Sequence, residues 1–159
     1  MMVFGKSLSE YIRFQRVVLG LILVVGLARL FLSLAGTSND VVKFLSMTVV
    51  GLAAIFYYGI RVHTSGFGTY KHLLPLLFIQ NVLANTIAIA GILIARFSGH
   101  PNVFTAPEFG GATRTRWHIL GHVGIGMILA SLVGWLVACV VMWVTKKVAG
   151  GKQPQPATV

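Results

Sequence analysis

Hydrophobic and polar positions alternate along this chain on the scale of whole segments. Four apolar runs, residues 17–35, 41–60, 73–95 and 118–144, are separated by short polar stretches. Each approaches or exceeds the length a helix needs to cross a bilayer core, about 20 residues. A chain in hydrocarbon must satisfy its own backbone, which a helix does within one segment. The pattern therefore predicts an all-α fold, an integral membrane four-helix bundle with four transmembrane helices. Residues 1–149 form its single domain, and residues 150–159, rich in Gly, Pro and Gln, read as a disordered tail.

The boundaries carry their own signals. Ser7 and Glu10 have the spacing of a capping box, so a short N-terminal helix starts near Leu8 and lies in the membrane interface. The run that follows is too long for an ordinary signal-peptide core and reads as the first span. Arg29 interrupts it near its far end, where a long side chain can snorkel to the interface. Residues 36–40 make a turn, with Asp40 placed to cap the second helix. Pro75 falls in the first turn of the third run, where a missing N–H is tolerated. Residues 97–115 form the longest connection, a length that points to function or partner contact.

The last run has a pattern within it. Read as one α-helix, it sets His118, His122, Gly126, Ala130, Gly134 and Ala138 in a row, each four residues after the last. Such positions share a face. Trp117 and Trp143 bracket the row roughly 39 Å apart, close to a bilayer with its interfaces. Gly126, Ala130, Gly134 and Ala138 form a groove for close helix packing, inside the bundle or against another protein.

Charge sets the orientation. The 159 residues include 13 Lys and Arg against three acids, and only 10% are charged while 56% are hydrophobic. A soluble domain is nearer to a quarter charged. The basic residues stand singly at the ends of apolar runs, as lipid-facing anchors do, which argues against nucleic acid as a partner. Lys6, Arg13, Arg16, Arg61, Lys71, Lys146, Lys147 and Lys152 fall on the side of the termini. Lys43, Arg96, Arg114 and Arg116 fall on the other. The expectation is a multi-pass protein of a bacterial-type inner membrane, with both termini cytoplasmic. Cys139 is a lone cysteine in an apolar run, so no intrachain disulfide forms.

Two groups of residues could carry chemistry. Gln80, Asn81 and Asn85 lie in the third run, with Asn85 about 18 Å from its start and so near the bilayer centre. Amides at that depth point into the bundle and need partners. They read either as interhelical hydrogen bonds or as a ligand, quinone or ion site. His118 and His122, with His100 and Glu108 from the preceding loop, form a partial metal-ligand set. The spacing lacks the Glu of the zinc-protease motif, since Ile119 follows His118. No CxxC, phosphate-binding loop or activated nucleophile is present.

These features fit a non-catalytic small subunit or scaffold in a larger or self-associated membrane complex, with the bilayer and other subunits, or further copies, as partners. A metal- or haem-binding redox-associated protein using the outer histidines is the alternative reading. A small transporter is a third, disfavoured by the scarcity of membrane-embedded acids. No cofactor is favoured.

Overall fold

The computed structural model describes residues 2–107 and 115–149. Residues 2–7 form a small hairpin, Met2–Val3 paired antiparallel with Lys6–Ser7. Helix α1 (Leu8–Phe14) follows, with Ser7 and Glu10 making the capping box that their spacing predicts. The Glu10 carboxyl accepts from the Ser7 backbone N–H at 2.7 Å, which, with the Ser7 hydroxyl and Lys6, holds it below the usual carboxylate range.

Among the described residues, four helices are long and apolar enough to cross a membrane, and they make up most of the molecule. Helix α2 (Arg16–Leu34) matches the first apolar run within a residue at each end. The second run divides. A single turn, α3 (Asn39–Val42), precedes helix α4 (Met47–Thr64). Ser46, whose side chain accepts from the Val49 N–H, caps α4 in place of Asp40. Asp40 instead bonds Lys43 at 2.7 Å. The helix expected at 41–60 therefore begins about two turns later and carries Arg61 and His63 in its last turn.

Helix α5 (Tyr70–Ser98) extends beyond the expected 73–95 at both ends. Its start was hidden because His72 takes the place usually held by Glu: the Thr69 N–H donates to His72 Nδ1 at 2.9 Å. Pro75 thus sits in the second turn, where its missing N–H leaves the Lys71 carbonyl without its i+4 donor. At the other end Gly99 adopts a left-handed φ of 75° and stops the helix.

The connection after α5 turns back into the bundle. Asn102 caps a 3₁₀ turn at Val103–Thr105, donates to the Gly91 carbonyl at 2.7 Å, and leaves Val103 and Phe104 buried. Phe104 lies against Gly91, where any Cβ would overlap its ring. Residues 102–106 of this loop are therefore core. Residues 108–114 and the tail 150–159 lie outside the described residues.

The fourth run, expected as one α-helix over 118–144, has three parts. Helix α6 (Thr115–Gly121) leads into a π-helical segment, His122–Leu129, and then helix α7 (Ala130–Val148). In the π segment hydrogen bonds span five residues, as from the Ala130 N–H to the Ile125 carbonyl. Glycines at 121, 124 and 126 lower the local helix preference.

Helices α4 and α5 are the central pair, each packed on both α2 and α7. The N-terminal hairpin docks on the start of α5, with His72 Nε2 3.2 Å from the Phe4 carbonyl. Lys146, near the end of α7, lies over the Tyr70 ring at 4.3 Å. The first and last described residues are thus at the same end of the bundle.

Candidate functional site

The π segment brings together the two groups of polar residues that the sequence presents separately. Its first residue, His122, places Nδ1 2.7 Å from Asn85 Oδ1 on α5. Asn85 Nδ2 donates to the Asn81 backbone carbonyl at 2.8 Å. Asn81 Nδ2 donates in turn to Ser131 Oγ at 2.9 Å, and Ser131 donates to the Met127 carbonyl. The result is a continuous polar row along the seam between α5 and the fourth span.

The row fixes a tautomer. The Asn81 carbonyl can only accept, so the amide nitrogen of Asn85 must face it and the amide oxygen must face His122. That oxygen also only accepts, so His122 Nδ1 carries the proton. In the neutral ring the lone pair is then on Nε2.

Gly126 makes the contact possible. A Cβ there would lie 2.7 Å from Asn85 Cγ and 2.9 Å from its Nδ2. The π turn also shifts the register beyond it. Ser131 is turned inward and buried, while its neighbour Ala130 is exposed. The hydroxyl was missed because an unbroken α-helical row runs through Ala130.

Beside the polar row is a cavity of about 600 Å³. It is lined by α2, α4, α5, Phe104 and the fourth span, and its walls are mainly apolar. Gln80, Asn81, Asn85, His118, His122 and Arg29 supply most of its polar groups. Gln80 is 2% exposed; its Nε2 reaches the Gly51 carbonyl at 3.4 Å, and its Oε1 has no partner among the described residues. Arg29 points inward over the Phe104 ring at 5.4 Å, a use that snorkelling does not anticipate. Leu52, Phe56, Val133 and Val137 line the cavity and are also exposed, which marks its mouth between α4 and α7.

The expected metal set is only partly assembled. The His118 and His122 rings stack with centroids 5.0 Å apart. His100 is exposed at the loop start, its backbone N–H donating to Ser98 Oγ. Glu108 lies outside the described residues. Among those described, no three His, Cys, Asp or Glu side chains gather as a metal site would need. Two histidines one turn apart on one helix also cannot take opposite faces of a single haem.

Of the small residues in the row, Gly134 and Ala138 are buried within the chain and Ala130 is exposed. Gly134 is buried beside Ile55 and Leu77, and the Ala138 carbonyl would lie 2.9 Å from a Cβ at Gly59. A second polar island, absent from the candidate list, lies at the opposite end. Tyr58 donates to Gln15 Oε1 at 2.9 Å, both fully buried. His63 is 1% exposed with neither ring nitrogen partnered among the described residues.

Comparison with protein-family models, with curated proteins and with solved structures finds no match for this chain.

Proposed function

We propose that this chain is a multi-pass membrane protein whose four spans enclose a binding site for an amphiphilic small molecule, and that it acts without catalysis. One observation carries the reading: the cavity of about 600 Å³, apolar except for a few converging polar groups. Its size and lining are those of small-molecule sites, which occur between the helices of bundles. The mouth between α4 and α7 would open to lipid, so the ligand arrives from the bilayer.

A photoreactive long-chain alkyl diazirine added to the purified protein tests this. Cross-links are expected at Leu77 and Ala88, which line the cavity and are almost fully buried. Ala84→Phe, which fills the cavity, should remove them. Labelling confined to outward residues such as Val24 and Phe31 contradicts the reading.

The membrane placement follows from charge. Eight basic residues on the side of the termini against four on the other favour cytoplasmic termini in a bacterial-type inner membrane. Helix α1 then lies in the cytoplasmic interface. Cysteine labelling should reach His100→Cys, but not Gln153→Cys, from outside intact cells. The reverse pattern inverts the protein.

The subunit or scaffold role is the second reading. Gly20, Gly121 and Gly124 favour it, since no described residue lies within 4 Å of a Cβ placed there and another helix could approach. A particle of several chains in mild detergent supports this role; a single-chain particle opposes it.

A further inference from the structure

Three lysines from distant parts of the chain meet at the end of the bundle where the first and last described residues lie. Lys6, in the N-terminal hairpin, places Nζ 4.6 Å from the centre of the Phe67 ring. Lys71, in the first turn of α5, lies over the Phe4 ring at 5.7 Å. Lys146, near the end of α7, lies over the Tyr70 ring at 4.3 Å. The rings tie these contacts together. Phe4 and Phe67 each stand edge-on to His72 at a centroid distance of 6.3 Å, and Tyr70 and Lys71 directly precede His72 in the chain. Such cation–ring contacts hold an ammonium group in place without neutralising it. Phe4 has a φ of 53°, a left-handed conformation that a side chain disfavours, and its ring is 47% exposed beneath Lys71.

The charge at this surface is countable. Lys6 lies 3.5 Å from the Glu10 carboxylate. Of the other two acids in the chain, Asp40 bonds Lys43 in the connection after α2, and Glu108 belongs to the connection after α5. Both connections leave the far ends of their helices. The tail beyond α7 contains Lys152 and no Asp or Glu. Three ammonium groups against one carboxylate leave two positive charges. None of the three lysines or their rings lines the cavity, so the surface is independent of the binding role proposed above. With the spans in a bilayer, the start of α5 and the end of α7 stand at headgroup level, where basic pockets meet anionic lipid. We propose that Lys6, Lys71 and Lys146 form a docking site for the head of a phospholipid bearing two phosphates, whose acyl chains lie in the surrounding bilayer.

Lipid titration tests the site. The surface is open to detergent, so its lipid washes off during purification and is added back. The full-length protein in mild detergent is titrated with tetraoleoyl cardiolipin, dioleoyl phosphatidylglycerol or dioleoyl phosphatidylcholine, and bound lipid is counted by native mass spectrometry. Cardiolipin should bind about tenfold tighter than phosphatidylglycerol, with phosphatidylcholine weakest. Lys71→Gln and Lys146→Gln should each weaken cardiolipin about fivefold. Lys147→Gln is the sharpest control. It removes the same charge at the same end, but Lys147 lies over the Trp143 ring at 4.3 Å, outside the cluster, so cardiolipin should bind as to wild type. A loss in Lys147→Gln equal to that in Lys146→Gln means a diffuse basic surface and overturns the site. If Lys146→Gln does not fold, Lys71→Gln at its exposed position carries the same comparison. Equal affinity for cardiolipin and phosphatidylglycerol overturns the two-phosphate head. Equal affinity for all three lipids overturns the surface as a lipid site.

Discussion

Gly59→Leu is expected to open the seam between α4 and α7 and to have the largest effect on stability of any single change considered. A Cβ at Gly59 would meet Val141 at 2.7 Å and the Ala138 carbonyl oxygen at 2.9 Å. The first is a side chain already in contact, and the second is backbone, so the helices themselves must move apart. Overpacking of this kind typically costs about 1–3 kcal/mol, and more where backbone must shift. Even Gly59→Ala should lower the melting temperature in detergent. Gly134 makes the informative comparison. Its nearest neighbour is the flexible end of Ile55 at 3.3 Å, so Gly134→Ala should be tolerated and Gly134→Leu should not. Equal melting temperatures for Gly59→Ala and Gly134→Ala would show that α4 and α7 do not approach as described.

Gly126→Val should dismantle the polar row. The new side chain occupies the place of the Asn85 amide, which must leave both His122 and the Asn81 carbonyl. Leaving such groups without partners in a partly buried site costs about 1–3 kcal/mol each, less whatever water recovers. Binding in the cavity should fall with it, since the orientation of His122 depends on Asn85. Gly124→Ala is the control on the same segment. No described residue lies within 4 Å of a Cβ placed there, so stability should hold or rise by up to about 1 kcal/mol. Identical behaviour of the two variants would mean that the segment tolerates bulk generally and that Asn85 does not rest on Gly126.

The sequence carries the four long helices because apolar length alone specifies them; α2 is matched almost to the residue. Starts were harder wherever caps compete. Asp40 and Ser46 both have capping chemistry, and Ser46 is the one that caps α4. At α5 the cap depends on a histidine in place of the usual Glu.

The site was legible in parts and illegible in assembly. Asn81, Asn85 and His122 each stand out in an apolar context, but pairing them requires the register between α5 and the fourth span. That register depends on a π turn, which has no reliable sequence signature. Ser131 was overlooked for the same reason, because the extra residue in the turn moves it from outside to inside. The burial of Val103 and Phe104 depends on long-range bonds, such as the Val103 N–H to Ser33 Oγ at 2.8 Å.

The central claim is that the bundle holds a small molecule in its own interior, and native mass spectrometry of the protein released from mild detergent tests it most directly. The account predicts that wild-type protein carries a small-molecule adduct from its membrane, and that Ala84→Phe, folded and otherwise unchanged, carries none. Adduct-free wild type, or the same adducts on both proteins, would contradict it.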